Sequence, residues 1–240
     1  MSEWDSRFAF LDPLWLEQRR HLRCAARRPF VTLSYAQSLD GSIAKEPGKA
    51  CLLSGRASLE MTHWLRARHQ ALLVGVETIL ADDPRLNVRH VKGEDPYPLV
   101  LDSYLRFPDN ARVLFASRKR PWIFTSLKAP HARWRALAAL GVRLTCVPEE
   151  EPGRLSLIGV LRELAAHGIG TVMVEGGALV IQTFLRQGLA DYCVLTLAPR
   201  FLGGVRALVG PVGVTLVNCY CQRLGSDWVV LGRVVARYGN

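Results

Sequence analysis

Long apolar runs are missing from this chain of 240 residues: the longest unbroken one, at 136–140, has five residues, and runs such as 192–195 and 228–231 likewise fall far short of a membrane span. Lysine is scarce as well. Of 31 basic residues 26 are Arg and only 5 are Lys, and none of the lysines lies beyond Lys128. No dense basic block exists, since no run exceeds Arg118-Lys119-Arg120, and that argues against an arm that binds nucleic acid. The six cysteines (Cys24, Cys51, Cys146, Cys193, Cys219 and Cys221) contain no C-x-x-C pair. The spacing of Cys219 and Cys221 suits no common zinc motif, so no metal site is expected. The opening MSEWDSRFAF lacks the basic-then-apolar order of a secretory signal. Free thiols in a cytoplasmic protein are the expectation.

What is present is enough apolar residue, 49%, to bury a full core without staples. The 22% of charged residues leave a net charge of +10. Such a charge suits nucleic acid, small polyanions such as phosphorylated metabolites, or simply a solvated arginine-rich surface, and alone it decides nothing.

Residues 1–28 read as a helical extension, with Leu14, Leu16 and Leu22 amid arginines. From 29 to 240 a single domain is expected, in which strands alternate with helices. Strands are expected at 30–35, 71–74, 99–101, 122–124, 142–147 and 171–174, and helices at 56–68, 76–80, 131–140 and 155–167. A further helix opens at Glu175-Gly176-Gly177 and ends near Gln187-Gly188, and Ser54 is the expected N-cap of the helix at 56–68. Three strand-like runs, 192–198, 207–217 and 228–237, close the chain without helices between them. The fold class is therefore α/β: a central, largely parallel mixed sheet with helices on both faces and antiparallel C-terminal strands.

Ligands of open α/β sheets bind where strands end and helices begin, and three such junctions are unusual in composition. The first, Tyr35 to Gly41, runs a strand into the polar turn Ser38-Leu39-Asp40-Gly41. The second, Val74 to Arg89, presents Thr78 and Asp82 on one helical face, suited to hydroxyls or an amide, with Arg85 and Arg89 beyond to take a phosphate. The third, Val174-Glu175-Gly176-Gly177, lets the backbone approach a pyrophosphate at a helix N-terminus. It lacks the third glycine of the G-x-G-x-x-G fingerprint.

Together with Leu65-Arg66-Ala67-Arg68 and Val100-Leu101-Asp102-Ser103, these segments resemble, in order and over about residues 29–205, the reductase domain of riboflavin biosynthesis. The resemblance implies a dihydrofolate-reductase-like fold, NADPH as hydride donor, and a homodimer whose first candidate edges are the C-terminal strands. It implies 5-amino-6-(5-phosphoribosylamino)uracil as acceptor, reduced at the sugar C1′. By the same resemblance, cofactor contacts fall to Gln37, Thr78, Asp82, Ser103, Gly176, Gly177, Ala178, Leu179 and Thr183. Substrate contacts fall to Arg66, Leu86, Arg89 and Glu175. Glu175, Asp40 or water would deliver the proton, and Thr125-Ser126 would anchor the adenosine side. Two departures stand out: Ser34 replaces a Lys common in bacterial members, and Ala50-Cys51-Leu52 replaces their Ser-x-Trp. They motivate an alternative, a diverged NADPH-dependent reductase of another small imine or carbonyl. A non-catalytic nucleic-acid-binding or scaffold protein on the same fold is a third reading. The deaminase zinc motifs found beside this domain in bifunctional relatives are absent from the sequence, and with 28 residues ahead of the domain no fused deaminase is expected.

Overall fold

The computed structural model describes residues 6–24 and 27–236. A 3-10 turn at Ala9–Leu11 leads into α1 (Asp12–Arg23), then β1 (Phe30–Ser38), β2 (Ser42–Ala44), α2 (Arg56–Arg66), β3 (Ala71–Gly75) and α3 (Val76–Asp82). The middle of the chain supplies β4 (Tyr97–Leu101), α4 (Val113–Ala116), β5 (Trp122–Thr125), α5 (His131–Ala139), β6 (Arg143–Cys146), β7 (Glu149–Glu151) and β8 (Arg154–Leu155). The last third is α6 (Leu157–Ala166), β9 (Thr171–Gly176), α7 (Ala178–Arg186), β10 (Tyr192–Ala198), β11 (Val205–Arg206), β12 (Val214–Leu224) and β13 (Asp227–Ala236).

Nine strands form one sheet in the order β12-β13-β10-β1-β9-β3-β4-β5-β6. From β10 to β6 every pairing is parallel, and β13 and β12 add on antiparallel. The inner strands read as nearly unbroken apolar runs because both their faces are covered. One face carries Phe30, Leu72, Val74, Val100, Ile123, Met173 and Val194, packed under α1 to α5 through Leu14, Met61, Leu65, Ile79, Val113 and Leu137. The other carries Val31, Leu33, Leu73, Leu99, Phe124, Val172 and Val174 under α6 and α7. In α6 the buried residues Leu157, Val160, Leu161 and Leu164 recur at helical spacing, and Ser156 Oγ caps its start by accepting from Gly159 N at 3.2 Å. The helix after β3 thus lies on one face and the helix after β9, its neighbour, on the other. That reversal opens a crevice at the C-terminal ends of these two strands.

The fold class is the one expected; several elements differ. Helix α2 is capped by Gly55, not Ser54, and no side chain bonds there; the Gly55 amide instead donates to Asp227 Oδ2 at 2.7 Å. β1 continues through Gln37 to Ser38 because β10 pairs with it that far, so only Leu39 to Gly41 make the turn. The run expected as a strand at 207–217 holds only the start of β12, which continues to Leu224 and bulges between Val217 and Tyr220. β13 lies inside the sheet, leaving β12 as the C-terminal edge. The β7–β8 hairpin and α4 carry no periodic signal in the sequence. Within the N-terminal stretch, Phe8, Leu11 and Leu14 belong to the main core, whereas Leu16 and Leu22 are exposed. The parts of the 1–28 extension at 1–5 and 25–26, and residue 237 of the last expected strand, lie outside the described residues.

Core packing also fixes one histidine. His69 is fully buried, and since a carbonyl only accepts, its Nδ1–H donates to Leu65 O at 2.8 Å while Nε2 accepts from the Thr32 hydroxyl at 2.8 Å. Burial pushes its pKa down to about 4. The unfolded chain, with an ordinary histidine value near ~6.5, then binds a proton that the native state refuses. Stability from this group is complete above that value and declines as pH falls toward 4, by about 1.4 kcal/mol per pH unit at most. Urea midpoints measured between pH 7 and pH 4.5 are expected to fall less steeply in His69→Gln, which keeps a donor and an acceptor but does not titrate.

Candidate functional site

The pairing of β9 with β3 slips by one residue at its C-terminal end. Leu73 faces Val174 but Val74 faces Gly176, leaving Glu175 as the extra residue of a β-bulge. Bulges re-aim a side chain at the end of a strand. Glu175 is turned onto Arg66, the last residue of α2: Arg66 Nε donates to Oε1 at 2.6 Å and Nη2 to Oε2 at 2.5 Å. Both side chains are largely buried, at 11% and 14% exposure. The third guanidinium nitrogen, Nη1, donates to Asn87 O at 3.0 Å.

Immediately after the bulge, Gly177 takes φ +81° as the N-cap of α7, with no side chain bonded to the helix start. A Cβ there would stand 3.4 Å from Thr78 Oγ1 in a backbone region that L residues avoid. The first amides of this nine-residue helix are therefore left without a protein side chain and carry the positive end of its dipole.

These amides open into a cleft of about 950 Å³, lined by the ends of β1 (Ser34 to Ala36), β3, β4 and β9, by α3 and α7, and by the loop after β2. Of the residues expected to bind cofactor, Thr78, Asp82, Ser103, Gly177, Ala178, Leu179 and Thr183 line it, and so does Glu175. Gln37 and Gly176 are not among the lining residues; Gly176 is held in the sheet opposite Val74. Burial raises the Asp82 carboxyl and the Tyr35 phenol above their ordinary ranges. Ser34 faces the same cleft, and Leu52 lies on its rim, 73% exposed.

Thr125 and Ser126, expected as an adenosine anchor, do not reach the cleft. Both are buried, and their hydroxyls donate to Ser103 O at 3.2 and 3.0 Å. They support the backbone of a lining residue. The Ser103 hydroxyl itself donates to Gly153 O at 2.7 Å, fastening the cleft wall to the β7–β8 hairpin.

Beside the cleft, on the far side of the Arg66–Glu175 pair, a pocket of about 210 Å³ is lined by Arg66, Pro84, Arg85, Leu86, Arg89 and Arg112. Leu86 holds φ +49° while its side chain is buried in the core, so the backbone of this loop is bent to follow the pocket. Arg89 Nη1 donates to Asn87 Oδ1 at 2.6 Å, and Arg112 is paired with Asp83 at 3.2 Å. Burial and the charges of Arg66, Arg85 and Arg112 lower the pKa of Arg89, offset in part by Glu175. His63, missed by sequence reading, backs the pocket: its Nδ1 accepts from the Arg89 amide at 3.1 Å. Burial and these cations push its pKa down to about 3. It buttresses the loop without adding a charge. Four guanidiniums so close together form a site prepared for a phosphate.

Asp40 requires correction as a proton donor. It does not line the cleft. Its oxygens accept from Ser38 Oγ at 2.5 Å, Ser42 Oγ at 2.6 Å, Leu202 N at 3.0 Å and Gly203 N at 2.9 Å. These bonds, the two serine hydroxyls foremost, hold its carboxyl well below the usual range. It staples the turn after β1 to the loop before β11. Glu175, with both oxygens engaged by Arg66, is placed to accept hydrogen bonds.

A cleft at the switch point of a doubly covered sheet, with a phosphate-ready pocket at its side, defines an α/β ligand-binding class. The chain belongs to the RibD C-terminal domain family, whose model matches residues 29–230. It is similar to the 2,5-diamino-6-ribosylamino-4(3H)-pyrimidinone 5′-phosphate reductase of Eremothecium gossypii, with 36% identity over 88% of this chain and 90% of that protein. The Aquifex aeolicus riboflavin biosynthesis protein RibD is 33% identical over 85% of this chain but only 57% of its own length. Among solved structures, the Saccharomyces cerevisia riboflavin biosynthesis reductase Rib7 superposes with a TM-score of 0.72 at 27% identity, covering 88% of this chain and 91% of that one.

The staple at Asp40 can be tested by acid. Because its native carboxyl is more acidic than an unfolded Asp near ~3.9, its contribution is present above that value and is lost as pH falls below it. Asp40→Asn is expected to be less stable than the parent at pH 6, and the gap in urea midpoint to shrink toward pH 2. A gap independent of pH would mean that the carboxylate charge is not what the turn uses.

Proposed function

We propose that this protein reduces the ribosyl C1′ of a 5-phosphoribosylaminopyrimidine with NADPH, yielding the ribitylamino product in riboflavin biosynthesis. The observation that carries the reading is the Arg66–Glu175 joint, which sets an arginine pocket directly against the nucleotide-sized cleft. The acceptor is the 5-amino-6-(5-phosphoribosylamino)uracil implied by the resemblance or its 2-amino counterpart. The relative matched along 90% of its length is named for the latter.

The residues present fit a dinucleotide. The cleft is at the upper end of small-molecule sites in size, and the uncapped start of α7, with Gly177 leaving room in front of Thr78, suits a pyrophosphate. When bound, the nicotinamide supplies a hydride. Thr78 and Asp82, which line the cleft, would hold its ribose and amide groups by hydrogen bonds. Arg85, Arg89 and Arg66 hold the 5-phosphate of the substrate, and Glu175, oriented by Arg66, accepts from the sugar hydroxyls or the pyrimidine amino groups. In the imine form of the substrate, its N–H proton having passed to the released ring oxygen, C1′ would accept the hydride and nitrogen would take one proton from water. Holding donor and acceptor carbons in contact is the main task of the protein.

A homodimer and a cytoplasmic setting belong to the same reading. Among the described residues no helix is long and apolar enough to cross a membrane. Apart from the departures at Ser34 and Leu52, no observation of this molecule favours the alternatives, reduction of a different small imine or carbonyl and a non-catalytic role with nucleic acid.

The deciding experiment incubates the purified protein with NADPH and each of the two pyrimidines, following nicotinamide absorbance and identifying the product. Substrate-dependent oxidation to a ribityl product is expected; no oxidation with either would overturn the reading. Arg89→Ala removes a charge-assisted phosphate contact worth about 1.5–3 kcal/mol. It is expected to raise KM about ten- to hundredfold with kcat little changed. An unchanged KM would place the phosphate elsewhere.

A further inference from the structure

Asn87 stands behind the arginine pocket and is not among its lining residues, yet it bonds to two of the four guanidiniums. Its backbone carbonyl accepts from Arg66 Nη1 at 3.0 Å, and its side-chain Oδ1 accepts from Arg89 Nη1 at 2.6 Å. Its Nδ2 donates to Ala116 O at 3.3 Å, at the C-terminal end of α4. A guanidinium only donates and a carbonyl only accepts, so these two neighbours fix which end of the amide faces Arg89. The loop backbone is pinned by other residues. Leu86 is buried in the core, the Val88 amide donates to Asp95 Oδ1 at 2.7 Å, and the Arg89 amide donates to His63 Nδ1 at 3.1 Å. The Asn87 side-chain oxygen is thereby left to serve Arg89. The charges along the pocket differ in a telling way. Arg66 is paired with Glu175 and Arg112 with Asp83, whereas the side chain bonded to Arg89 is neutral. Arg89 is exposed and feels the repulsion of Arg66, Arg85 and Arg112, which favours its turning out into water unless an acceptor holds it. A carboxylate at position 87 would have the same size and accept the same bond, but it would cancel the charge that an incoming phosphate requires.

We propose that Asn87 is a positioning residue for the phosphorylated substrate: its neutral amide holds Arg89 at the pocket against the other arginines without supplying a countercharge. The proposal rests on the phosphate reading of the pocket given above. It separates two properties that a carboxylate would join, the orientation of a guanidinium and the neutralisation of its charge. A bound dianion then meets an arginine that is already ordered, so less side-chain freedom is lost on binding, and that still carries its full charge.

Calorimetric titration with ribose 5-phosphate at about pH 8, where the phosphate is a dianion, reads this role without turnover. The parent protein is expected to bind it, and N87A to bind it about three- to tenfold more weakly because Arg89 is no longer held. N87D matches Asn in size, yet it is expected to lose at least about tenfold and to fall below N87A, since its carboxylate pairs with Arg89 and repels the phosphate. That deficit shrinks with added salt. N87Q, neutral and longer by one methylene, is expected to recover part of the affinity lost in N87A. In turnover, KM for the pyrimidine rises in the same order with kcat little changed, while KM for NADPH stays within about twofold of the parent. Parent-like affinity in N87A, or N87D binding no more weakly than N87A, would sink the role of Asn87 alone. Failure of the parent and every variant to bind ribose 5-phosphate would sink the phosphate reading of the pocket with it.

Discussion

Arg66 and Glu175 are 109 residues apart in the chain, yet their two parallel hydrogen bonds form the partition between the cleft and the arginine pocket. The pair depends on three separate features: α2 ending beside the sheet, β9 bulging by one residue, and the 83–89 loop bringing Asn87 O to the remaining guanidinium nitrogen. Burial makes the pair consequential. A lone carboxylate or guanidinium at this depth would carry an uncompensated desolvation cost, so neither side chain can leave while the other stays. The result is a rigid acceptor between the cleft and the arginine pocket.

Backbone strain and a cluster of positive charge lie around that partition. Asp83 and Leu86 hold positive φ, conformations that cost energy for residues with a Cβ. Near them Arg66, Arg85, Arg89 and Arg112 repel one another, with Glu175 and Asp83 as nearby carboxylates. Hydrogen bonds to His63, Asn87 and Asp83 hold the loop against this repulsion. A bound phosphate would relieve it. Part of the +10 net charge is thus concentrated in one small pocket.

Legibility followed the range of the forces involved. The alternation of apolar strands with helices was readable because both sheet faces must be covered, and α6 was readable from its spacing and its Ser156 cap. Thr78 and Asp82, four residues apart on one short helix, were readable as a unit for the same local reason. Asp40 was misread: its Asp-Gly turn is genuine, but besides the neighbouring Ser38 and Ser42 its carboxylate binds Leu202 and Gly203, more than 160 residues away. Thr125 and Ser126 were misread in the same way, since their partner is the carbonyl of Ser103 in the turn after the neighbouring strand. His63 left no signal because a histidine on an apolar helix face looks the same whether it supports a loop or only fills space.

The amino-acid sequence by itself determined the layered α/β architecture, the glycine pair that uncaps α7, and the ordered motifs that mark the family. All of these rest on local propensity, periodicity and turn chemistry, which act over a few residues. Only the tertiary structure decided that Glu175 sits in a bulge on Arg66, that four arginines share one pocket, and that Asp40 is a staple. Those outcomes depend on strand order and register. Register comes from packing both faces of the sheet at once, a long-range constraint that spacing along the chain does not encode.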